Sequence, residues 1–326
     1  MNVLMVYKGV LPPVTYGGTE RVIWSLTKAL AQLNHNVYLL SSTPVDCPWA
    51  TTLPFNADKS LDDQIPDFID VVHFHTSGTS STKPYVITRH GNSTAAKKHD
   101  PNSIFVSHKH ALNHGCEAFV HNGLDWNDYR QPNLTTAQRI DRYHFLGKAA
   151  WRVKNVQGAI NITKKANVAL DVLGGHRLNF KMGFRFTLDR HVNFHGMVDN
   201  EAKCNVLEKS KGLVFPVTWE EPFGLAVTES LYMGTPVFAT PYGSLPELIK
   251  TPEFGLLSNV EDELVEAIKH GKYDPKQCHE YARDTFDHIS MANAYIEKYE
   301  QVLNGETLNQ FLSEPTKQVK KLPYFQ

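Results

Sequence analysis

Trp219-Glu220-Glu221-Pro222-Phe223-Gly224-Leu225-Ala226-Val227-Thr228-Glu229-Ser230-Leu231-Tyr232-Met233-Gly234-Thr235-Pro236 is the stretch on which the fold turns. It follows an apolar run of strand length, 212–217, and passes into a helical pattern at 227–233; a further strand candidate, 236–240, comes next. Strand, loop and helix N-terminus in that order make an anion-binding end, because free backbone N–H groups and the helix dipole point at the loop. Gly224 lets a ligand approach the backbone closely. Glu229 lies about one turn into the helix, where a carboxylate accepts bonds from hydroxyl groups. Glu221 precedes the helix and can face another part of the same ligand. Alone, the stretch reads equally well as a buried βα unit with two surface acids.

Outward from this stretch, short apolar runs alternate with longer helical patterns, the mark of parallel sheets covered by helices. Before it, strands are expected at 142–146, 168–173 and 192–194, with helices at 155–165 and 200–209. After it, helices are expected at 261–270, 275–286 and 291–303. The N-terminal part repeats the pattern: 3–10 is a near-continuous apolar run, as in a strand buried on both faces. Val22, Ile23, Leu26, Ala29, Leu30 and Leu33 then recur at helical spacing. Strand candidates follow at 37–40, 71–74, 85–88, 104–107 and 118–121. A polar stretch, 125–141, interrupts the alternation, and 127–136 within it reads as a linker. The chain is thus α/β with two Rossmann-like domains. The N-terminal domain is expected at 1–138, the C-terminal domain at 139–290, and a last helix with a polar tail at 291–326. Ligands of such sheets bind at the carboxyl ends of the strands, so the expected site is the cleft where the two halves face each other.

Composition limits the function. The 326 residues include 33 Lys plus Arg and 34 Asp plus Glu, a net charge of -1, which argues against a nucleic-acid partner. Cys47, Cys116, Cys204 and Cys278 are scattered, so neither a zinc site nor a disulfide framework is expected, and isolated thiols fit a reducing cytoplasm. The opening residues have no basic segment followed by a long apolar run, and no stretch approaches the roughly 20 apolar residues of a spanning helix. Cytoplasmic location is therefore expected. Lys317, Lys320 and Lys321 in the tail admit peripheral association with the inner membrane face.

The central stretch resembles the retaining GT-B glycosyltransferases, often called family 4. Their Glu-x7-Glu element is matched in spacing by Glu221 and Glu229, and its context by Phe223-Gly224-Leu225 and Gly234-x-Pro236-Val237. Pro241-Tyr242-Gly243-Ser244-Leu245-Pro246-Glu247 resembles the glycine-rich turn and acid that follow. The resemblance implies that Glu221 lies near the hydroxyls of the transferred sugar and that Glu229 binds the nucleotide ribose. Phe145-Leu146-Gly147-Lys148 with Lys154-Asn155 resembles the F-x-G-R…K-G segment, implying that Lys148 and Lys154 meet the donor diphosphate. Fixed cations there stabilise the charge that the leaving diphosphate gains. Lys148 in place of Arg keeps the charge and loses bidentate geometry, and Asn155 replaces the usual Gly.

Three weaker matches extend the resemblance. Gly17-Gly18-x-Glu20 is similar to the family's glycine-rich loop at donor phosphate or sugar; Gly-Gly after a strand is more often a simple turn. Val86-Ile87-Thr88-Arg89-His90-Gly91 is similar to a segment whose His lies near the reacting sugar, which gives that role to His90. Phe194-His195-Gly196-Met197-Val198 resembles the segment that reads the nucleotide base and implies contacts from Met197 and Val198. His73 and His75 alternate on one strand, but no acidic or thiol partner is placed to complete a metal site, so they are expected to line the acceptor side. The terminal helix is expected to cross back to the N-terminal domain.

The implied activity is retaining transfer of a sugar from an NDP-sugar to a glycan, lipid-linked or small-molecule acceptor. The nucleotide sugar is a substrate rather than a cofactor. No Asp-x-Asp motif is present, so no essential metal is expected. Two other readings stand beside this one: an NDP-sugar 2-epimerase using the same cleft, and a non-catalytic GT-B protein that binds sugar nucleotides. The second is motivated by Lys148, Asn155 and a short N-terminal half. The incomplete glycine fingerprint disfavours a redox dinucleotide enzyme. The nucleotide base, the sugar, the acceptor and the oligomeric state are left open.

Overall fold

The computed structural model describes residues 1–12, 17–41, 46–76, 80–93, 98–136, 139–180, 182, 184–310 and 322–323. The chain divides into two compact units: Met1–Asp125 with Phe286–Gln318, and Trp126–Thr285 with Val319–Gln326.

The first unit runs β1 (Asn2–Tyr7), α1 (Gly18–Gln32), β2 (Asn36–Ser41), β3 (Thr51–Pro54), β4 (Val71–Phe74), β5 (Tyr85–Arg89), β6 (Ser103–Phe105) and α2 (His108–Asn113). The strands form one parallel sheet in the order β3-β2-β1-β4-β5-β6. Val3 to Val6 on β1 are at most 1% exposed, which is why their run shows no polar alternation. The strand stops at Tyr7 rather than residue 10. Residues 104–107 do not form one strand. Ser107 instead caps α2, its side chain accepting from His110 N. Of the stretch 118–121, an isolated bridge joins Phe119 to Phe105.

The second unit runs β7 (Arg142–Leu146), α3 (Val156–Lys165), β8 (Ala169–Leu173), β9 (Leu178–Asn179), β10 (Arg185–Phe186), β11 (Val192–Gly196), α4 (Asn200–Lys209), β12 (Leu213–Phe215), α5 (Leu225–Tyr232), β13 (Val237–Ala239), α6 (Leu245–Leu248), β14 (Gly255–Leu257), α7 (Glu261–His270) and α8 (Pro275–Thr285). Its parallel sheet has the order β11-β8-β7-β12-β13-β14. With the β9–β10 hairpin set aside, both sheets follow one plan: the first strand is central, the second and third lie to one side, the rest to the other. That is the doubly wound order, with a switch point between the first and fourth strands.

Helix α9 (His288–Leu303) returns to the first unit. Its Tyr295 and Tyr299 are fully buried there. The units divide at 125/126 and 285/286, where the sequence suggested 138 and 290. Side chains and backbone explain both places. Trp126 stacks on Tyr232 of α5, ring centroids 4.2 Å apart, and the Tyr129 ring lies 5.8 Å from the same Tyr232, so the stretch 127–136 read as a linker is already tied to the second unit. Leu124 N donates to Phe286 O (3.0 Å) and His288 N to Leu124 O (3.0 Å), so the chain from Phe286 onward pairs with the first unit. Lys317, Lys320 and Lys321 lie outside the described residues.

Candidate functional site

In the second unit the informative residues gather where β12 gives way to α5, at the carboxyl side of the switch point. The loop is held by its own backbone. Ser244 N donates to Glu221 O (2.9 Å), and Gly243 N donates to a Glu220 carboxylate oxygen (2.8 Å). Gly243 has φ +61, and a Cβ there would lie 2.2 Å from both N and O of Glu221, so only glycine fits. The Glu221 side chain is thereby fixed inward, 5% exposed. Its Oε2 accepts from Lys154 Nζ (2.6 Å) and from Trp219 Nε1 (2.8 Å).

Lys154 reaches Glu221 through Asn155. Asn155 has φ 55, a left-handed conformation that Asn tolerates better than most residues, which accounts for Asn where the resemblance has Gly. Its side chain caps α3 by accepting from Gly158 N (3.1 Å) and donates to Pro216 O (2.8 Å) in the loop after β12. The Lys154 ammonium also sits 4.9 Å from the Trp219 ring centroid and 5.2 Å from that of Phe215.

Glu229, on α5, is 2% exposed. Its Oε1 accepts from Tyr129 OH (2.7 Å) and from the ammonium of Lys203 on α4. Lys203 also lies over the Tyr129 ring, 4.8 Å from its centroid. Each buried carboxylate therefore has its own ammonium and its own aromatic donor. Tyr129 and Lys203 went unnoticed in the sequence: the first falls in the apparent linker, the second on an ordinary polar helix. A carboxylate in a mostly apolar helix was the available signal that a cation must face it.

Other site candidates are placed less closely. Lys148 is exposed, its ammonium 5.5 Å from the Trp151 ring centroid. Phe223 is 2% exposed, which leaves its backbone rather than its ring for a ligand. Gly224 is the N-cap of α5 and Leu225 its first residue. Met197, 51% exposed, and Val198 follow β11. Three adjacent strands end in glycine: Gly147 after β7, Gly174 after β8, and Gly196 on β11. Gly147 N donates to Leu173 O (3.0 Å) and Gly174 N to Gly196 O (2.7 Å). A Cβ on Gly174 would lie 2.3 Å from Gly147 O, so these ends form a bare backbone floor.

In the first unit Gly17 caps α1 and Gly18 opens it. Glu20 in that first turn accepts from Tyr7 OH (2.6 Å), and burial beside this carboxylate raises the Tyr7 phenol well above its usual range. His90 follows β5. Its Nε2 is 2.9 Å from His75 Nδ1, and burial pushes it down to about 4, leaving it neutral near pH 7. His73 bonds Tyr299 OH and Thr88 Oγ1, both at 2.7 Å, and Thr88 Oγ1 is 3.0 Å from Tyr295 OH. His75, Thr88, Arg89 and His90 line a cavity of about 990 Å³. Among the described residues no group of three or more His, Cys, Asp or Glu is placed to hold a metal ion.

Known proteins are similar to this chain in part of its sequence and in its fold. Residues 145–286 match the family model for glycosyl transferases group 1. A Klebsiella pneumoniae protein described as an uncharacterized 41.2 kDa protein in a cps region is 34% identical over 116 residues, 33% of this chain and 32% of that protein. The chain thus matches about a third of the length of this curated relative. AviGT4, a glycosyltransferase involved in avilamycin A biosynthesis, superposes with TM-score 0.77 at 19% identity, over 94% of this chain and 99% of that one. Sucrose-phosphate synthase from Thermosynechococcus elongatus gives 0.69 at 16% identity, over 94% and 100%. Anabaena HepE in complex with UDP-glucose gives 0.63 at 14% identity, over 92% and 100%. At these identities the likeness to solved structures is one of fold. The chain has the GT-B fold of two parallel-sheet Rossmann-like units, and its residues 145–286 are similar to the glycosyl transferases group 1 family.

Proposed function

We propose that the chain is a retaining glycosyltransferase that takes a sugar from a nucleotide-sugar donor without a metal ion. The observation that carries this reading is the pair of buried carboxylates, Glu221 and Glu229, fixed at the end of β12 and on α5 and each faced by a lysine. Glu229 is assigned to the ribose and Glu221 to the sugar hydroxyls. Lys148 and Lys154 are assigned to the diphosphate, together with backbone N–H groups of Gly17, Gly18, Gly224 and Leu225. The backbone of Phe223 contributes to the donor turn, and Met197 and Val198 are assigned to the base. His90, neutral at physiological pH, is assigned to the reacting sugar as a hydrogen-bonding group rather than a charge.

The HepE complex makes a UDP-sugar the first donor to test, and the relative from a cps region makes a polysaccharide precursor a first acceptor class. A thermal-shift screen against UDP-, GDP-, ADP- and dTDP-sugars reads donor class without an acceptor. A shift with one nucleotide class, lost in Glu229→Ala, supports the assignment; no shift with any of them overturns it. Transfer that survives EDTA supports metal independence, and loss restored by Mn²⁺ refutes it. A second reading, a non-catalytic sugar-nucleotide binder, draws on Lys154 and Lys203 being engaged by Glu221 and Glu229. Donor binding with neither hydrolysis nor transfer across an acceptor panel would favour it.

A further inference from the structure

The β9–β10 hairpin of the second unit has its polarity inverted. Leu178 pairs with Phe186 across the two strands, and Phe180 and Phe184 continue the same side with ring centroids 5.8 Å apart. On that side Leu178 is 45% exposed, Phe180 73%, Phe184 69% and Phe186 52%; Met182 at the turn is 59% and Leu188 beyond β10 is 77%. The described alternate residues, Arg177, Asn179, Arg185 and Thr187, are polar and face inward. The Arg177 and Arg185 guanidinium groups lie 5.6 and 5.4 Å from the Phe194 ring centroid. Arg177 donates to Thr187 O, Asp189 O and Val192 O, and Arg185 to His176 O. A half-buried strand ordinarily turns its apolar side in and its charges out. Here cations are spent on the inside, and six large apolar side chains within eleven residues are turned to solvent. Scattered exposed apolar residues are ordinary; a contiguous set on one small element marks an interaction surface. At the turn, Met182 has φ 60, a conformation usually given to Gly or Asn, so even the strained position carries an apolar side chain.

Charge decides the occupant. The chain as a whole has net charge -1, yet residues 176–191 hold four basic residues, Arg177, Lys181, Arg185 and Arg190, against one acidic residue, Asp189. A second copy meeting this face by twofold symmetry would set the same basic patch against itself. An anionic lipid surface supplies both complements: acyl chains for the Phe, Leu and Met side chains, and headgroup charge for the net positive field of the segment, in which Arg190 is exposed while Arg177 and Arg185 are held inward. We propose that the hairpin 178–188 docks the protein onto anionic membrane surfaces, its aromatic side entering the interface. This rests on the hairpin and not on the transferase reading.

The test is co-sedimentation with vesicles of phosphatidylcholine and phosphatidylglycerol, against phosphatidylcholine alone, for the full chain and for Phe180→Ser combined with Phe184→Ser. Expected are preferential binding to the phosphatidylglycerol vesicles, weakening as salt is raised, and a loss of about tenfold or more in the double variant. Because both rings are exposed, its melting temperature and its response to nucleotide sugars should stay as in the parent. A second variant gives a positive signal: Phe184→Trp should be quenched by vesicles with brominated acyl chains. Equal binding by parent and double variant would overturn the proposal, as would no preference for phosphatidylglycerol. So would absence of vesicle binding with a concentration-dependent dimer that the double variant loses, which would assign the face to a second copy.

Discussion

The Lys154 ammonium lies 2.6 Å from Glu221 Oε2, in a pair whose side chains are 14% and 6% exposed. Removing one partner of a buried pair leaves the other charge without compensation. Lys154→Met should therefore destabilise the protein by roughly 2–3 kcal/mol, below the full buried-pair cost because Trp219 Nε1 still donates to Glu221. The combination with Glu221→Gln should recover part of that loss, since no unpaired carboxylate remains. Urea unfolding of the four forms gives the coupling directly. Additive losses would mean that the pair does not hold the loop.

Glu229 should separate binding from folding. Tyr129→Phe removes one hydrogen bond to a charged group and should cost about 1.5–3 kcal/mol of stability. If the ribose needs the Glu229 carboxylate, Tyr129→Phe keeps the donor-induced thermal shift while Glu229→Gln loses most of it. Equal shifts in both variants would remove Glu229 from the donor site. Calorimetry or thermal shift with the best nucleotide sugar checks this.

What the sequence discloses follows from where periodicity is strong. Strand Val71–Phe74 and helices Asn200–Lys209 and Glu261–His270 match their expected bounds, because each is a regular apolar or amphipathic run. β3, α2 and the hairpin were not legible. Thr51–Pro54 has little apolar signal, α2 is six residues long, and the hairpin's alternation carries the opposite polarity from a core strand. The acids of the site were visible through their spacing. Their partners were not, because Lys203 and Tyr129 reach Glu229 through the packing of α4 and the entry chain, which no local pattern encodes. Asn155 is the instructive case: a departure from the expected glycine that keeps its left-handed backbone and adds two hydrogen bonds.

Acid should weaken the fold through its buried histidines. His144, fully buried between Ser210 and Ser230, and His110, 1% exposed, are each pushed down to about 3 by burial. An unfolded histidine titrates near about 6.5. Above that pH neither state binds the proton and these groups leave stability unchanged. Between about 6.5 and 3 the unfolded chain gains protons that the folded chain refuses, so stability falls as pH falls. Each group adds a slope of about 1.4 kcal/mol per pH unit within that window. Urea midpoints should drop clearly from pH 7 to pH 5, and His144→Asn should reduce the slope by about one proton. A midpoint unchanged over that range would refute the assignment.

Gly243 is the most exacting position in the turn that holds Glu221. At φ +61 an alanine carries the left-handed penalty of about 1–2 kcal/mol, and its Cβ would stand 2.2 Å from the backbone N and O of Glu221. Backbone cannot rotate away as a side-chain end can, so relief requires Glu221 itself to shift. Overpacking of this kind adds about 1–3 kcal/mol, so Gly243→Ala should lose roughly 2–5 kcal/mol in all. The same shift draws the Glu221 carboxylate off Lys154, so nucleotide-sugar binding should fall with stability. Gly91→Ala is the control: a Cβ there meets nothing within 4 Å, and its stability should stay within about 0.5 kcal/mol of the parent. Thermal melts with and without donor measure both effects. If Gly243→Ala melted and bound like the parent, the clamp on Glu221 would have to be abandoned as what fixes the site.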